Sequence, residues 1–217
     1  MKHASRRYNG AMKKILIFPH NGNGLEALDC LGNDFKLAGF VDDEAGKQGR
    51  HANGYEVFGR EAFKKYPDAL VLAVPGAPWS YKDREKIISG LGIAPGRFAT
   101  VIHPRASVSA LAQIGKNVLI MAGVVVTSNA IIGDHVCIMP NSVIHHDSEI
   151  GDWSILAAGV IVTSYTKIGK NCYLGAGARV RNRVEIGDRS LVGMAANVIQ
   201  SVEPDTTVAG NPAKKIA

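Results

Sequence analysis

The C-terminal half of the chain has a hydrophobic period of six residues. From Ile102 to Val198 every sixth residue is aliphatic, over seventeen consecutive positions, and the residue two places before each of them is small or short. Two positions on the same face, two residues apart, describe a very short strand, and the other residues of each six must turn the chain. Such hexapeptide periodicity is typical of a solenoid in which each coil stacks on the previous one.

A second period of eighteen residues groups the hexads into coils. The pair Ile-Gly recurs every eighteen residues, from Ile114-Gly115 to Ile186-Gly187. Three hexads therefore make one coil, and the predicted cross-section is a triangle in which residues eighteen apart stack at ~4.8 Å. The phase does not break, so we expect no long loop inside this prism. Its chemistry must then lie on the faces, the corners or the ends.

The segment before the prism has a different pattern. Apolar runs predict strands at 13–18, 37–41, 55–58 and 69–74, with helices at 25–31, 61–66 and 81–91. The turn Gly22-Asn-Gly24-Leu-Glu-Ala27 follows the first strand, and Asp42-Asp43 ends the second. This succession is that of a nucleotide-binding βαβ unit, about half the size of a complete dinucleotide domain. A merely structural tight turn is the alternative. We predict a small Rossmann-like α/β half with a parallel sheet.

Composition limits the classes of protein to consider. The 217 residues are 46% hydrophobic and 20% charged, as in globular proteins, and the three cysteines form no spaced pair. We find no membrane span or signal peptide and expect a cytoplasmic protein. The net charge of +6, with few aromatic residues and no Lys/Arg run, favours a phosphate-bearing small molecule over nucleic acid. We divide the chain into a disordered extension (1–11), the Rossmann-like half (12–98) and the prism with its tail (99–217).

The three turns of each coil differ in character. One column repeats Gly-Lys or Gly-Asp, which predicts a solvated polar edge, and a second contains small residues, beside which a long ligand could approach the backbone. The third contains His145-His146-Asp147. A histidine beside a carboxylate can act as a general base. The alternatives are a solvated corner and a metal site completed by His135, which lies on another column and would need a subunit interface.

Together these features resemble the sialic acid O-acetyltransferase and nucleotide-aminosugar N-acetyltransferase family. The resemblance covers 13–217 and is carried by the prism, the N-terminal half, Val143-Ile-His-His-Asp147 with Ile150-Gly151-Asp152, and the ending Val208-Ala-Gly-Asn-Pro-Ala-Lys-Lys-Ile216. It implies a left-handed parallel β-helix, a homotrimer, and acetyl-CoA bound as co-substrate in the groove between neighbouring prisms, with no metal.

The resemblance also implies roles for individual residues. His146 would be the base and Asp147 the acid that raises its basicity; relatives often have Glu there, so the shorter Asp is expected to reach less far. The backbone N–H near Ser164 would meet the oxyanion, and acetyl-CoA would contact Ile155, Ala176 and Met194. The nucleotide sugar would be held by Asn21, Gly22, Asn23, Gly24, Asp42, Asp43, Ala73, Val74, Pro75 and Gly76.

We therefore expect an acetyl-CoA-dependent N-acetyltransferase that acts on the amino group of a UDP-linked deoxysugar by direct attack. No nucleic acid or membrane partner is expected. O-acetylation of a sugar hydroxyl by the same residues is one alternative. A metal-dependent hydratase of the carbonic anhydrase type, built on a similar prism, is another, and a scaffold without chemistry is a third.

Overall fold

The computed structural model describes residues 12–216, so the extension expected at 1–11 lies outside the described residues. Within that range the N-terminal half is a five-stranded sheet in the order β3-β4-β2-β1-β5, parallel except where β3 pairs with β4. Its parallel strands have the order of half a doubly wound sheet, as predicted. The strands are β1 (Lys13–Phe18), β2 (Phe35–Val41), β3 (Gly49–Arg50), β4 (Glu56–Phe58) and β5 (Leu70–Ala73).

Short helices connect these strands. The α-helices are α1 (Gly22–Glu26), α2 (Ala62–Lys65) and α3 (Arg84–Ser89), and 3₁₀ turns occur at Ala27–Cys30, Ala45–Lys47, Tyr81–Asp83 and Pro95–Arg97.

The first helix begins earlier than the sequence predicted. We expected it at 25–31, but α1 begins at Gly22. The side chain of Asn21 caps it, because its Oδ1 accepts a hydrogen bond from the Gly24 N–H at 2.9 Å and so satisfies an amide of the first turn. A methyl group on Gly24 would collide with the carbonyl oxygen of Pro19. The second glycine therefore allows the helix to start directly beside the end of β1.

The prism is a parallel β-helix made of two-residue strands. Each strand pairs in parallel with the strands eighteen residues before and after it, so the predicted coil length is confirmed. We name the three faces after their surroundings. The covered face contains β6 (Val101–Ile102), β9 (Leu119–Ile120), β12 (Cys137–Ile138), β15 (Ile155–Leu156), β18 (Tyr173–Leu174) and β21 (Leu191–Val192).

The other two faces are built in the same way. The apolar face contains β7 (Ser107–Val108), β10 (Val125–Val126), β13 (Val143–Ile144), β16 (Ile161–Val162), β19 (Arg179–Val180) and β22 (Asn197–Val198). The charged face contains β8 (Gln113–Ile114), β11 (Ile131–Ile132), β14 (Glu149–Ile150), β17 (Lys167–Ile168) and β20 (Glu185–Ile186). Two final strands, β23 (Thr207–Gly210) and β24 (Ala213–Lys215), extend the covered face beyond β21.

The aliphatic series predicted from the hexads forms the core of the prism. Ile120, Ile138 and Leu156, like their counterparts on the other faces, are fully buried in one hydrophobic cluster. The series weakens only in the first coil, where Ile102 is 40% exposed because no earlier coil stacks on it. Burial of this continuous apolar column is the main favourable free energy that holds the coils together.

Each corner turns on one residue with a left-handed backbone. The last residue of every three-residue turn, at each sixth position from Asn117 to Ala195, has a positive φ. Gly, Asn and Asp tolerate this conformation best, yet Trp153 and Tyr165 adopt it as well, with φ of 58° and 59°. Stacking therefore imposes the turn geometry even where the local sequence does not favour it.

The N-terminal half packs on the covered face. Ile15 and Leu72 of its sheet share one buried cluster with Leu119, Cys137 and Ile155 of the prism. The sheet and the β-helix therefore share a core, and the division that we placed between residues 98 and 99 stays a prediction.

The polar corner, which contains the turns 115–117, 133–135, 151–153, 169–171 and 187–189, is more than the solvated edge that we predicted. Its last turn residues face the N-terminal half. The Asn117 side chain accepts a hydrogen bond from the Ala73 N–H and donates one to the Ala73 carbonyl, both at 2.7 Å. The Tyr81 hydroxyl donates to the Arg189 carbonyl at 3.0 Å. The polar corner is therefore also a docking edge.

Arg84 is a fully buried cation at this junction. Its guanidinium donates to the carbonyl oxygens of Trp153 (2.8 Å), His135 and Pro75, which belong to both halves of the chain. Within residues 12–216 no carboxylate forms an ion pair with it. Burial lowers the pKa of Arg84 to about 10, so the side chain stays charged at neutral pH. The three carbonyls replace water as its hydrogen-bond partners.

We expect Arg84→Met to lower the stability of the protein by about 3 kcal/mol, because three buried carbonyls lose a charged donor. At a fixed protein concentration this corresponds to a fall of roughly 6–12 °C in melting temperature by calorimetry. Lys86→Met, on the exposed side of the same helix, is the control and should change the stability by less than about 0.5 kcal/mol. Equal melting temperatures for Arg84→Met and the wild type would contradict the role of Arg84.

Candidate active site

The histidine corner joins the apolar face to the charged face and contains the turns 127–129, 145–147, 163–165 and 181–183. The turns stack one coil apart because all have the same three-residue geometry. His146 therefore lies next to Ser164 of the following coil, and Asp147 next to Asn129 of the preceding one. The corner aligns polar side chains that are distant in sequence.

His146 is the centre of a hydrogen-bonded series across three coils. Its Nδ1 lies 2.6 Å from Asp147 Oδ2, and Asp147 Oδ1 accepts a hydrogen bond from Asn129 Nδ2 at 3.1 Å. On the other side of the ring, Nε2 lies 2.8 Å from Ser164 Oγ. A carboxylate only accepts, so Nδ1 carries the hydrogen and Nε2 of the neutral ring is an acceptor. The corner thus offers a basic nitrogen, which is what general-base chemistry requires.

This corner is accessible to a ligand. The side chains of His146 and Asp147 are 46% and 32% exposed. The Tyr165 ring lies edge-on to the imidazole, with 5.3 Å between centroids, and the Arg183 guanidinium lies 5.1 Å from the Tyr165 centroid. Hydrogen bonds from His146 and then Asn129 lower the pKa of Asp147. The acid therefore stays anionic below the usual range of an aspartate.

Neither Asn129 nor the hydroxyl of Ser164 was expected at this site from the sequence. The only signal for Asn129 is its position eighteen residues before Asp147, which places both at the same point of stacked turns. Ser164 lies eighteen residues after His146, and the same stacking brings its hydroxyl, and not only the expected backbone N–H, to the corner.

His135 lies apart from the histidine corner. Its ring stacks on Trp153 with an interplanar angle of 2°, and its Nδ1 lies 3.0 Å from Asn117 Nδ2. Burial lowers the pKa of His135. In the part of the chain that the structure describes, no group of three or more His, Cys, Asp or Glu side chains is placed to hold a metal.

The small-residue corner joins the covered face to the apolar face, through the turns 121–123, 139–141, 157–159, 175–177 and 193–195. Two of the predicted acetyl-CoA contacts lie on it. Met194 is 77% exposed and Ala176 is partly exposed, so both offer surface to a ligand. The apolar face separates them from His146. One chain alone does not bring these residues together.

Ile155, the other side chain expected to contact acetyl-CoA, is fully buried. It lies on the covered face, packs in the same cluster as Ile15 and Leu72, and approaches Gly76. The expectation is wrong for this residue, because the docked N-terminal half removes its surface from any ligand.

The carboxyl ends of β1, β2 and β5 border a cleft of about 650 Å³. Of the residues expected to hold the nucleotide sugar, Asn21, Asp42, Asp43 and Pro75 line it. Gly22 is exposed beside it at the start of α1. Ligands of parallel α/β sheets bind at this edge.

Several predicted cleft residues have structural partners instead. Gly24, Ala73 and Val74 are buried, so they support the cleft and do not line it, contrary to expectation. The Asn23 side chain donates to the carbonyl oxygen of Gly76 at 3.3 Å and so joins the helix start to the end of β5. The sequence placed these residues near the edge, but it could not show which of them face inward.

The two acids after β2 are already hydrogen bonded. Asp42 is buried and accepts from the His20 N–H at 3.0 Å and the Glu44 N–H at 2.9 Å. Asp43 accepts from both Nε and Nη2 of Arg60, at 2.6 and 2.7 Å, and these bonds lower its pKa. Asp42 thus shapes the loop, whereas the Asp43–Arg60 pair is exposed at the cleft.

An aromatic cluster beside Asp42 was not predicted. The His20 and His51 rings lie 4.6 Å apart, and His51 stacks on Tyr55 at 5.1 Å. The His20 Nε2 lies 3.2 Å from the Tyr55 hydroxyl, and burial lowers the pKa of His20. His20 lies in a different loop from His51 and Tyr55, so no local sequence pattern indicated that the three rings meet.

Among residues 12–216, none of the helices is long and apolar enough to cross a membrane.

Comparison with known proteins agrees with this architecture. The family described as bacterial transferase hexapeptide (six repeats) matches residues 111–145, 129–164 and 165–199. No curated protein sequence matches the chain. Among solved structures, the acetyltransferase domain of PglB from Neisseria gonorrhoeae is 26% identical, with a TM-score of 0.80 over 94% of this chain and 100% of that one.

Two further solved structures have the same fold. WeeI from Acinetobacter baumannii is 26% identical, with a TM-score of 0.81 over 94% of this chain and 100% of its own. PerB from Caulobacter crescentus, solved with CoA and GDP-perosamine, is 24% identical, with a TM-score of 0.83 over 96% of this chain and 99% of that chain. These likenesses identify the prism as a left-handed β-helix, which confirms the predicted fold class.

The repeat match, the shared architecture and the likeness to an acetyltransferase domain define the protein as a hexapeptide-repeat acyltransferase. The likeness to the PglB acetyltransferase domain and to WeeI, over 94% of this chain in each case, supports the resemblance to the sialic acid O-acetyltransferase and nucleotide-aminosugar N-acetyltransferase family.

Proposed function

We propose that the protein transfers an acetyl group from acetyl-CoA to the amino group of a nucleotide-linked deoxysugar, with His146 as the general base. One observation carries this proposal: an exposed imidazole is held by an acid at one nitrogen and presents the other, basic nitrogen at a prism corner. PerB from Caulobacter crescentus has been solved with CoA and GDP-perosamine, and a perosamine N-acetyltransferase from the same organism has been solved with both molecules as a variant in which a histidine is replaced by asparagine.

The residues of the corner supply the steps of a direct attack. The acceptor amine attacks the acetyl carbonyl carbon while His146 Nε2 takes its proton. Asp147 stabilises the imidazolium that forms. The N–H of Ser164 has no acceptor within residues 12–216 and is free to donate to the oxygen of the tetrahedral intermediate. His146 then returns the proton to the sulfur of the leaving CoA.

The cleft of the N-terminal half is the proposed site for the nucleotide. Backbone N–H groups at the start of α1 can receive phosphate oxygens, and Lys47, Arg60 and Lys86 line the same cleft. We propose a uridine nucleotide, and guanosine is the competing base because PerB binds GDP-perosamine.

A homotrimer would complete the site. The covered face is hidden by the N-terminal half, and the charged face carries Glu149 and Lys167, whose charged groups lie 3.9 Å apart. The apolar face instead presents the half-buried side chains of Val125, Val143 and Ile161. When three apolar faces meet around a threefold axis, the histidine corner of each copy meets the small-residue corner of the next. In such an arrangement Ala176 and Met194 of the neighbouring copy would lie along the same groove as His146, on later coils.

The first test measures the turnover of UDP- and GDP-linked amino sugars with acetyl-CoA. In parallel, calorimetry measures the binding of UDP, GDP and NAD to the protein. We expect N-acetylated product from an amino sugar and none from the corresponding hydroxyl sugar. Binding of the matching nucleotide should not need acetyl-CoA, because the cleft lies wholly in the N-terminal half. Acetylation of hydroxyl sugars alone, or tight binding of NAD without UDP or GDP, would refute the proposal.

We expect His146→Ala to lower kcat by roughly 10²–10⁴, which is the usual contribution of a positioned proton acceptor. The fold should survive, because His146 is exposed and outside the aliphatic core. His145→Ala is the matched control and should cost far less, since its ring has no contact with Asp147 among the hydrogen bonds of the described residues.

The pH dependence of the rate of Asp147→Asn is an independent test of the His146–Asp147 pair. The amide is neutral, so the imidazolium loses its anionic partner and the acid limb of the pH–rate profile should move to lower pH. Steady-state rates of the wild type, His146→Ala, His145→Ala and Asp147→Asn across pH provide the measurement. Near-wild-type turnover by an intact His146→Ala oligomer would show that another group is the base.

The assembly is tested by placing a charge on two faces of the same coil. Val125→Glu on the apolar face should give monomers by light scattering and remove activity, because three like charges would meet near the axis. Ile131→Glu on the charged face, where the native side chain is 41% exposed, should leave the mass of the oligomer unchanged. A wild-type protein that is monomeric at micromolar concentration would exclude the shared site.

A further inference from the structure

Ser164 differs from the other serines of the prism. The inward-facing serines Ser142, Ser148 and Ser154 donate their hydroxyls to backbone carbonyls of the next coil, at 2.8–3.0 Å. The Ser164 hydroxyl instead lies 2.8 Å from Nε2 of His146 and is partly exposed. Ser128, at the same turn position two coils earlier, has no such contact in the described chain.

The direction of this hydrogen bond follows from the acid. Asp147 accepts from Nδ1–H of His146, so Nε2 has the lone pair and the Ser164 hydroxyl is the donor. A hydroxyl that donates to an imidazole, whose other nitrogen is held by a carboxylate, is the arrangement that activates serine as a nucleophile on several unrelated folds.

The backbone N–H of Ser164 is a second feature that suits a nucleophile. The flanking amides are used, because the Thr163 N–H donates to the Val180 carbonyl and the Tyr165 N–H to the His146 carbonyl. The Ser164 N–H has no acceptor within residues 12–216. In serine proteases of the chymotrypsin type the amide of the nucleophile itself contributes to the oxyanion hole. Ser164 therefore combines an activated hydroxyl with an unused backbone donor.

We propose that Ser164 is a nucleophile and that the protein has a second activity, the hydrolysis of acetyl thioesters and activated acetyl esters through an acetyl-Ser164 intermediate. This activity would operate when no acceptor is bound. The inference rests on the role of His146 and Asp147 in the proposed function, but it does not depend on the nucleotide cleft or on the identity of the sugar.

The reaction needs only the acetyl donor and water as reactants. Ser164 Oγ attacks the carbonyl carbon as its proton moves to His146 Nε2, and the bond to sulfur or to the leaving oxygen breaks. The leaving group takes the proton from His146, and acetyl-Ser164 remains. A water molecule then gives its proton to His146 and attacks the ester carbonyl. Acetic acid leaves and loses the second water proton to the solvent, and His146 returns the first proton to Ser164 Oγ.

The same geometry explains how transfer and hydrolysis could share one base. In the absence of an acceptor, the Ser164 hydroxyl occupies the hydrogen-bonding position on Nε2 that an acceptor amine needs. A bound amino sugar must displace this hydroxyl, and direct transfer then replaces acylation of the serine. Acceptor should therefore suppress the acetyl-enzyme.

The test exposes the full-length protein briefly to p-nitrophenyl acetate or to acetyl-CoA and measures its mass by intact-protein mass spectrometry. Peptide mapping then locates any acetyl group, and the release of p-nitrophenol gives the rate of ester hydrolysis. We expect the mass of one acetyl group on the peptide that contains Ser164. Ser164→Ala should abolish this adduct and lower ester hydrolysis at least ~10²-fold. His146→Ala should do the same. Ser128→Ala, the matched serine of the same column, should keep both signals.

Other outcomes overturn the inference. An adduct that persists in Ser164→Ala would show that a histidine or lysine is acylated. Loss of the adduct in Ser128→Ala as well would indicate a general disturbance of the corner. Sugar acetylation by the wild type with no adduct from either probe would support the proposed function and contradict the hydrolytic activity through Ser164. An adduct on Ser164 without acetylation of any sugar would support the second activity and contradict the proposed function.

Discussion

The eighteen-residue coil is the constraint on which the rest of the structure depends. Because every coil has the same length and each corner turns on one left-handed residue, side chains eighteen apart always stack. Neighbouring strands are separated by ~4.8 Å, which is within reach of short polar side chains. The contacts of Asn129 with Asp147 and of His146 with Ser164 both arise in this way. The site therefore needs no long loop to hold it.

The same regularity makes the three faces available for different purposes. Outward positions do not contribute to the core inside the prism, so each face can take its own composition. The covered face uses Leu119, Cys137 and Ile155 to hold the N-terminal half, and the charged face places Lys167 near Glu149. The apolar face has neither a covering element nor an outward set of ion pairs among the described residues. It lies between the two corners that would have to meet in a shared site.

The sequence predicted what is periodic and failed where contacts are long-range. The coil, the columns and the position of His146 beside Asp147 follow from spacing, because a residue's neighbours in a solenoid are fixed by its number. The burial of Ile155, the docking role of Asn117 and the cation at Arg84 depend on how the N-terminal half packs on the prism. No local pattern encodes that packing. The carboxyl-end rule located the cleft, but it could not show that Ala73 faces inward.

Asp147 shows how the turn and the chemistry depend on one residue. The resemblance suggested that Asp reaches less far than the Glu often found at this position, yet its Oδ2 lies 2.6 Å from His146 Nδ1. The corner requires a left-handed residue here, with φ of 58°, and Asp tolerates that conformation better than longer side chains. In this tight turn the acid is already beside the preceding ring, so a short side chain is sufficient. The acid–base pair is thus formed within one turn of one chain, whereas the surfaces for both substrates lie elsewhere in the assembly that we propose.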